Sequence, residues 1–353
     1  MGLNMLQKFT PGYKLNGRFE ILKMQGKGSL GDTVYIGRHP DLEKEVIIRV
    51  LPPEMNSGTD TVQRFIQAVK LTAALKHQNI LPAYDAGDEN GILFFVSASE
   101  TGLYLSDYIK MKARLDQDEA VKITMAIADA LEYAWDEKKI LHRNVCPSNI
   151  LIAAGVHPML ADFGLAKSFE AGKDDLTVMG YTIGNPQYMS PEQARGEREL
   201  SYHADMYCLG LVFYEMLAGV PAFQCKSHVE MMEAQMEKAP KPMTNYNSNV
   251  TPDCLLVINK MIEKDQKNRY GTWAELIKDL KALLAARPIA ASAVKKLVVS
   301  KDPVSRTGGG KAYNAYGSRR VKESNLLSGI IITVAVVLSI IVAVVVFLKY
   351  FNK

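Results

Sequence analysis

The chain has 353 residues, 48% of them hydrophobic and 23% charged, which is typical of a folded protein and excludes an intrinsically disordered one. The formal net charge is +4, but residues 285–353 hold eleven Lys or Arg against Asp302 and Glu323. The first 284 residues therefore carry a net charge of about −5, which argues against a nucleic-acid-binding core.

The cysteines and the N-terminal segment bear on the cellular compartment. The cysteines form no C-x-x-C pair and have no histidine at metal-ligand spacing, so the sequence indicates a reducing compartment rather than a disulfide framework or a zinc site. Residues 1–17, an N-terminal extension, lack a charged start followed by about 7 to 15 apolar residues, so we expect no secretion signal. The cysteines are Cys146, Cys208, Cys225 and Cys254.

The first part of the folded region predicts a sheet. Strand candidates rich in β-branched residues lie at 19–22 and 33–36, on either side of a glycine-rich turn, and at 45–51. Apolar residues at helical spacing predict an amphipathic helix over 61–75. Residues 92–96 predict another strand, which leads into a hinge.

Beyond the hinge the pattern becomes helical. Apolar residues recur at helical spacing over 118–135, and residues 205–217 predict a second, strongly apolar helix. Short segments with Gly, Pro and Asn separate three further helices, at 229–238, 254–262 and 272–284. The sequence therefore predicts an α+β fold with two lobes, a small β-rich one followed by a larger α-helical one.

The C-terminal region changes in composition. Residues 285–325, which include three consecutive glycines, predict a flexible basic linker. Residues 326–348 carry no charge and are rich in Ile and Val over a length that can cross a bilayer. A buried helix of a soluble protein is rarely apolar on every face over that length, so this segment predicts a transmembrane helix, followed by a short tail at 349–353.

Basic residues flank the predicted span on both sides. Arg319, Arg320 and Lys322 precede it, and Lys349 and Lys353 follow it. The positive-inside rule favours a cytoplasmic location for the folded domain, although the two terminal lysines weaken this bias. The three preceding residues either bind anionic lipid headgroups, each contributing roughly 1 kcal/mol, or only set the topology.

Two segments of the chain carry motifs of a known enzyme family. Residues 142–149, His-Arg-Asn-Val-Cys-Pro-Ser-Asn, resemble the catalytic loop H-R-D-x-x-x-x-N of protein kinases. Residues 26–34 read G-x-G-x-x-G-x-x-V between two strand candidates, and are similar to the kinase glycine-rich loop. Glycines in such a loop let backbone amides approach phosphates without an intervening side chain.

Further matches follow in the family's order. Residues 162–164 read D-F-G, 13 residues after Asn149, and residues 190–192 correspond to the family's A-P-E. Asp205 starts a segment that resembles the buried helix supporting the catalytic loop, and Arg269 matches the arginine that pairs with the glutamate of A-P-E. The resemblance is to bacterial-type, or Hanks-type, Ser/Thr protein kinases, and it covers residues 18 to 284.

The resemblance implies a two-lobed kinase fold with an ATP and Mg²⁺ site between the lobes. The metal ligands would be Asn149 and Asp162. The cofactor-binding positions would be Gly26, Lys27, Gly28, Gly31, Val34 and Arg49. The positions that hold the fold together would be Arg143, Phe163, Gly164, Glu192, Asp205 and Arg269.

Five positions depart from the family's pattern in residues that the reaction needs. Arg49 stands where the motif V-A-I-K has lysine, and Ala68 stands where the glutamate that pairs with this lysine is expected. Asn144 replaces the aspartate that accepts the substrate proton, and Cys146 replaces a lysine that contacts the phosphate. Asn185 replaces the threonine of the family's G-T-P.

These departures predict a pseudokinase that keeps its fold, and a nucleotide pocket, for regulating or scaffolding a cytoplasmic protein partner. Loss of a general base alone costs about 10² to 10⁴ in rate. One such loss leaves slow catalysis, whereas the accumulated losses should abolish it. The alternative is an active Ser/Thr kinase that uses Lys27 or Arg49 together with Asn144.

Three further hypotheses stay open at this stage. Cys146 is either a reactive thiol, its pKa lowered by a neighbour such as Arg143, or a small residue tolerated after loss of function. Thr182 is a candidate phosphosite whose phosphate would bind Arg143. A sensor that reads signals across the bilayer would require a partner within the membrane, because only five residues follow Leu348. The resemblance favours a bacterial plasma membrane, although a eukaryotic tail anchor would look the same.

Overall fold

The computed structural model describes residues 9–28, 32–41, 43–53, 65–66, 69–70, 72–163 and 185–290. All of them belong to the first of the two compact units of the chain, which comprises residues 1–302. This unit contains both predicted lobes, so it also contains the cleft in which the motifs of the sequence are expected to meet.

The N-terminal lobe is built on one six-stranded sheet. Its strands are β1 (Lys14–Leu15), β2 (Phe19–Lys27), β3 (Thr33–Arg38), β4 (Glu45–Val50), β5 (Ala83–Glu89) and β6 (Ile92–Ala98). The order across the sheet is β1-β2-β3-β4-β6-β5, and every neighbouring pair is antiparallel. The sheet therefore places β4 at its centre, between β3 and β6.

Alternation along β4 decides which residues enter the core and which face the cleft. Successive side chains of a strand point to opposite faces, and Val46, Ile48 and Val50 lie buried among apolar residues of β2, β3 and β6. Ile47 and Arg49 point the other way and line the cleft between the lobes. The sequence of β4 thus buries one face and presents a cation on the other.

The helix predicted at 61–75 is confirmed where the structure describes it. Residues 65–66, 69–70 and 72–73 are helical. Phe65 and Val69 are buried against Leu51, Leu93 and Phe95 of the sheet. Apolar residues four positions apart thus form the face that packs on the sheet, as the periodicity predicts.

The C-terminal lobe is mainly helical. Its helices are α1 (Leu105–Lys112), α2 (Gln117–Lys138), α3 (Pro191–Ala194), α4 (Tyr202–Ala218), α5 (His228–Glu237), α6 (Pro252–Met261) and α7 (Trp273–Leu284). Side chains of Ser201, Ser227, Thr251 and Thr272 accept hydrogen bonds from the first turns of α4 to α7, as N-cap residues do. Fourteen of the seventeen residues of α4 are buried, so this helix forms the centre of the lobe.

A three-stranded sheet between the lobes carries the catalytic loop. Its strands β7 (Gly102–Tyr104), β8 (Ile150–Ala153) and β9 (His157–Leu160) pair in chain order, all antiparallel. The loop predicted to be catalytic runs directly into β8. Pairing of β8 with β9 then brings the residues after β9, which include Asp162, back toward the same cleft.

Many of these elements were predictable from the sequence, and most of the exceptions are short or polar. Strands β2, β3, β4 and β6 and helices α2, α4, α5, α6 and α7 confirm the predicted elements, and the two-lobed α+β fold is confirmed with them. The sequence analysis missed β1, β5, β7, β8, β9, α1 and α3. Apart from β8 these elements are very short or rich in polar residues, so they have little propensity of their own and depend on a neighbouring strand or lobe.

Both ends of the predicted domain have buried residues just outside its bounds. Phe9 and Leu15, in the predicted N-terminal extension, lie in the core of the small lobe. Ile289, in the predicted linker, lies in the core of the large lobe, and the backbone N–H of Ala290 donates to a carboxylate oxygen of Asp279 at 2.7 Å. Packing against the lobes therefore continues for several residues beyond the predicted limits, 18 and 284.

The predicted membrane segment lies outside the part of the chain that the structure describes. Within that part, no helix combines the length and the apolar character that crossing a membrane requires. The predicted span at 326–348 and the basic residues before it, Arg319, Arg320 and Lys322, all fall beyond residue 290. The transmembrane helix stays a prediction.

Candidate active site

The loop predicted to be catalytic is held in place by Asp205 of α4. One carboxylate oxygen of Asp205 accepts the backbone N–H of His142 at 2.8 Å, and the other accepts that of Arg143 at 2.7 Å. Arg143 has a φ of +66°, a left-handed conformation that a residue of this size rarely adopts, and these bonds stabilise it. Burial raises the pKa of Asp205 to about 6, while the two N–H groups act in the opposite direction. The predicted structural roles of Asp205 and Arg143 fit this geometry.

His142 connects the loop to the segment that carries D-F-G. Its Nε2 lies 2.7 Å from the carbonyl oxygen of Ala161, and its Nδ1 accepts the backbone N–H of Asn144 at 3.2 Å. These partners require a neutral ring with the proton on Nε2. Burial lowers the pKa of His142 to about 4, which favours the same neutral form. Phe163 packs edge-on against the ring with 4.8 Å between centroids, so the D-F-G phenylalanine also supports the loop.

Asn144, at the position of the catalytic base, is engaged with another part of the chain. Its side-chain oxygen accepts the backbone N–H of Asn185 at 3.2 Å, and only 8% of the residue is exposed. The side chain of Asn185 in turn accepts the N–H of Gln187 and caps the short 3₁₀ turn Pro186–Tyr188. The two residues that replace aspartate and threonine therefore form a structural link rather than a base and its hydroxyl partner.

Cys146 is buried in the core of the large lobe. Its thiol lies 3.2 Å from the hydroxyl of Ser148, and the residue has no exposed surface. Burial raises the pKa of this thiol, whereas a reactive cysteine needs a lowered one. Burial of the thiol therefore favours the alternative, in which Cys146 is a small residue packed into the core.

The pair that supports the segment after D-F-G is intact. The guanidinium of Arg269 makes two parallel hydrogen bonds to Glu192, of 2.7 and 2.9 Å, with both side chains buried. Arg269 also donates to the carbonyl oxygens of His203 and Glu263. Such a bidentate, fully satisfied pair fixes the relative positions of α3 and the residues around Arg269. The predicted structural roles of Glu192 and Arg269 fit this geometry.

The side of the cleft that is predicted to hold a nucleotide is organised around Arg49. Its Nε donates to one carboxylate oxygen of Asp32 at 2.6 Å and its Nη2 to the other at 3.2 Å. Its Nη1 contacts the carboxylate of Asp162. All three residues are at least nine-tenths buried. The arginine thus bridges a carboxylate of the glycine-rich loop and the predicted metal ligand.

Sequence analysis missed Asp32, although a signal was present. The kinase glycine-rich loop reads G-x-G-x-x-G-x-V. This chain has one residue more between Gly31 and Val34, and the extra length places a buried carboxylate opposite Arg49. Val34 and Arg49 are register partners on β3 and β4, so Asp32, just before β3, lies close to the arginine. Comparing the spacing of the motif position by position would have revealed it.

The remaining glycine-loop residues occupy the predicted place. Gly26, Lys27, Gly28 and Val34 all line the cleft. The ammonium of Lys27 donates to the hydroxyl of Thr33 at 2.9 Å, across the β2–β3 pair. In this position Lys27 contacts the neighbouring strand rather than the arginine and its two carboxylates.

The cleft encloses a cavity of about 310 Å³, at the lower end of the range for small-molecule pockets. Two residues that the sequence analysis did not single out also line it. They are Ile47, which stands at the alanine of V-A-I-K, and Tyr104 of β7. Burial raises the pKa of the Tyr104 hydroxyl, with smaller effects of opposite sign from Arg49 and Asp32.

Protein kinases use ATP with Mg²⁺, and the described residues can be tested for their fit to this pair. The two predicted metal ligands are neighbours along the backbone, because the N–H of Ala161 donates to the carbonyl oxygen of Asn149 at 2.9 Å and Asp162 follows directly. However, the Asp162 carboxylate already contacts a guanidinium. The amide nitrogen of Asn149 donates to the carbonyl oxygen of Asn144, a bond that does not involve the side-chain oxygen through which an asparagine ligates a metal. A dication would be repelled by Arg49, so this arrangement does not fit a magnesium–triphosphate complex.

Four residues of the predicted site lie outside the described residues. They are Gly31, Ala68, Gly164 and the candidate phosphosite Thr182. The predicted loss of the helix glutamate at Ala68 therefore rests on the sequence alone, as does the phosphosite.

The sequence of this chain is similar to those of known protein kinases. The family described as protein kinase domain matches residues 19–280. A probable serine/threonine-protein kinase of Clostridium perfringens is 34% identical over 272 residues, which cover 77% of this chain and 39% of that protein. PknB of Mycolicibacterium smegmatis, a serine/threonine-protein kinase, is 32% identical over 275 residues, covering 77% of this chain and 43% of PknB. The chain spans about two fifths of the length of these curated relatives.

Solved structures show the same fold. The kinase domain of Mycobacterium tuberculosis PknI superposes with a TM-score of 0.63 at 24% sequence identity, covering 78% of this chain and 99% of that domain. A second structure of the same domain gives a TM-score of 0.62 at 23% identity and covers 77% of this chain and 98% of that one. At such identities the likeness concerns the fold alone.

Proposed function

Because the chain belongs to the protein kinase family, in its bacterial Ser/Thr branch, we propose that it is a membrane-anchored pseudokinase that regulates or scaffolds a cytoplasmic partner. One observation carries this proposal, the pairing of Arg49 with both Asp32 and Asp162. The cation at the phosphate-binding position and the carboxylate at the metal-binding position neutralise each other. Phosphoryl transfer relies on both groups to position and neutralise the triphosphate.

The substrate side supports the same proposal. An amide such as Asn144 does not take up a proton near neutral pH, and its oxygen already accepts an N–H from Asn185. Loss of the general base costs about 10² to 10⁴ in rate, equivalent to about 3 to 5 kcal/mol. The buried thiol of Cys146 adds no positive charge near the transferred phosphate. The losses therefore affect both sides of the reaction.

A phosphorylation assay tests the proposal. The full-length chain is incubated with labelled ATP, Mg²⁺ and a general protein substrate, beside the variant Asp162→Ala. We expect no more label in the wild type than in the variant. Incorporation that requires Asp162 would overturn the pseudokinase assignment.

Restoring the family's residues provides the complementary test. We expect activity to appear when the phosphate, metal and base positions are all restored, and to disappear again on Asp162→Ala. A folded variant without phosphorylation activity would mean that residues at further positions prevent catalysis. The changes are Arg49→Lys, Ala68→Glu, Asn144→Asp, Cys146→Lys and Asn185→Thr, together with deletion of Asp32.

The second candidate is an active Ser/Thr kinase that transfers the γ-phosphate with unusual residues. The observation that favours it is the intact support of the loop, in which Asp205 holds His142 and Arg143 and Glu192 pairs with Arg269. The same support suits a binding surface, and it supplies neither a base nor a phosphate-contacting cation. The phosphorylation assay separates the two candidates.

The membrane anchor is proposed from the 23 uncharged residues 326–348. Basic residues before this segment favour a cytoplasmic kinase-like domain and suit anionic lipids. In bacterial membranes we expect the full-length chain to resist extraction by alkaline carbonate, and a chain that stops at residue 325 to be released. Release of both forms would refute the anchor, and unchanged membrane retention on Arg319→Ala, Arg320→Ala and Lys322→Ala would limit those residues to setting topology.

A further inference from the structure

The carboxylate of Asp32 lies in the space that the glycine-rich loop leaves beside its own backbone. A Cβ added at Gly28 would come within 2.3 Å of both carboxylate oxygens of Asp32 and within 2.4 Å of Nη2 of Arg49. The backbone N–H of Gly28 also donates to the backbone carbonyl of Asp32 at 2.9 Å, which folds the loop back on itself. In a kinase loop, the absence of a glycine side chain leaves space in which phosphates approach the backbone. In this chain an ion pair occupies the corresponding space.

The contact between Asp32 and Arg49 has the form of a phosphate contact. In the kinase strand motif, the residue at the position of Arg49 pairs with the nucleotide phosphates. Here Arg49 donates through two nitrogens to the carboxylate of Asp32, at 2.6 and 3.2 Å. A guanidinium binds carboxylate and phosphate groups in the same bidentate way. An anion supplied by the loop therefore stands opposite the cation that normally receives a phosphate.

The same arginine reaches the position of the metal. Its third nitrogen, Nη1, contacts the carboxylate of Asp162, which would otherwise hold a divalent cation. Among the described residues at this end of the cleft, the charges of Lys27 and Arg49 balance those of Asp32 and Asp162. Such a cluster offers neither the positive potential that a triphosphate needs nor an available carboxylate for a metal ion.

We propose that Asp32 is a built-in phosphate surrogate, and that the rest of the cleft binds an uncharged nucleoside-class ligand without a divalent cation. This inference rests on the proposed pseudokinase function and specifies the ligand of that site. The Asp32 carboxylate fills the phosphate subsite. Arg49, which binds this carboxylate, also contacts Asp162, the predicted metal ligand. The lobes are then held together at this end by the chain itself rather than by a nucleotide.

The rest of the cavity lining has the chemistry to hold a heterocycle and a sugar. Apolar side chains form its walls, and hydroxyl and carboxylate groups lie among them, where they can bond to ring nitrogens and sugar hydroxyls. None of these groups requires a charged ligand. The apolar lining residues are Val34, Ile47, Leu81 and Ala161, and the polar ones are Ser97, Ser106 and Asp107.

Equilibrium binding to the full-length chain tests this proposal. Labelled adenosine and labelled ATP are titrated, each in Mg²⁺ and in EDTA, against the wild type and Asp32→Ala. We expect the wild type to bind adenosine equally in both buffers, and to bind ATP at least about tenfold more weakly than adenosine. Removing the surrogate should strengthen ATP binding about tenfold or more and leave adenosine binding nearly unchanged.

The control is Asp41→Ala, which removes an exposed carboxylate from the same lobe and should bind like the wild type. Intrinsic fluorescence of Trp135 and Trp273, both in the large lobe, reports whether each variant is folded, and Asp32→Asn replaces Asp32→Ala if the latter unfolds. Wild-type binding of magnesium–ATP as tight as that of adenosine would overturn the proposal. So would unchanged ATP affinity in the Asp32 variants, or absence of adenosine binding.

These outcomes are distinguishable from failure of the proposed function. Tight magnesium–ATP binding without phosphate transfer would overturn the surrogate and leave the pseudokinase assignment standing. Phosphate transfer that requires Asp162 would overturn the assignment itself. Restored ATP binding in Asp32→Ala without activity is the result expected if both proposals hold, because Asn144 still replaces the base.

Discussion

The two sides of this catalytic loop have diverged in different ways. On the side that we call the rear, Asp205 holds the backbone of the loop and Glu192 pairs with Arg269. These residues match the kinase motifs. In front of the loop, Arg49 and Asp162 stand at motif positions but form an ion cluster with Asp32, which has no counterpart in the kinase motifs. The difference is the one expected of the proposed pseudokinase, in which the shape of the loop is still needed and the reaction in front of it is not.

The contrast has a physical basis in burial and charge. A buried pair such as Glu192 and Arg269 leaves an uncompensated charge when either partner is lost, so stability alone preserves it. Replacing the phosphate-binding lysine creates no such penalty here, because Arg49 has two carboxylates of the chain to neutralise it. The support can therefore persist for folding while the front of the cleft changes.

Breaking the rear support should produce the largest effect. Glu192→Ala leaves the guanidinium of Arg269 buried without its carboxylate, and we expect a loss of about 3 to 5 kcal/mol in the free energy of unfolding. Urea denaturation measures it. The matched control is Glu197→Ala, which breaks an exposed pair with Arg195 and should cost less than about 1 kcal/mol. Similar losses in both variants would mean that the buried pair gives no special support.

The neutral state of His142 makes the rear support sensitive to acid. Its pKa is about 4 in the folded chain against an ordinary value of 6.5, so the unfolded chain binds more protons between these two pH values. Stability from this residue is complete above about pH 6.5 and falls by about 3 kcal/mol as the pH decreases to 4.

Asp205 acts in the opposite direction over much of the same range, because burial raises its pKa to about 6 and the folded chain then binds more protons. The effect of His142 must therefore be read from a difference. Urea unfolding of the wild type and His142→Gln at pH 6.5 and pH 4.5 gives that difference. We expect the stability of the wild type to fall more than that of the variant, and parallel pH profiles would contradict a neutral buried ring.

The front cluster should be sensitive to steric change at Gly28. The backbone there is outside the left-handed region, so Gly28→Ala acts through its new Cβ, which meets the carboxylate of Asp32. We expect a loss of about 1 to 3 kcal/mol. In Asp32→Ala the clash with the carboxylate is absent, so the double variant should be more stable than the sum of the two single changes predicts. Strict additivity of the three unfolding free energies would show that Asp32 does not fill this space.

The rear of the site was largely predictable from sequence, and the front was not. Glu192, Asp205 and Arg269 match motif positions whose partners are fixed by the fold, so their contacts follow once the family is suspected. The pairing of Arg49 with Asp32 depends on a single extra residue in a loop, and a motif match that tolerates variable spacing does not register it. Sequence showed that a lysine had been lost, but only the geometry shows what the arginine does.

The same limit applies to the residues that replaced the base and its partner. From sequence, Asn144 and Asn185 are two losses. In the structure they are joined by a hydrogen bond, and the second one caps a turn. A single sequence shows that a catalytic group is absent. It does not show whether the residue in its place also makes a structural contact.

We expect the smallest effect on stability from substitutions at Asn185, whose backbone N–H donates to Asn144 of the loop. The side chain of Asn185 caps the turn at 186–188, and a lost cap of this kind typically costs about 1 kcal/mol, so we expect that loss in the free energy of unfolding for Asn185→Ala. Asn185→Thr keeps a side-chain oxygen and should cost only a few tenths of a kcal/mol by the same urea assay. Equal losses in the two variants would mean that the cap is not what Asn185 contributes. A smaller loss for threonine would mean that restoring the family's residue is structurally tolerated, so that asparagine at this position reflects release from catalysis rather than a requirement of the fold.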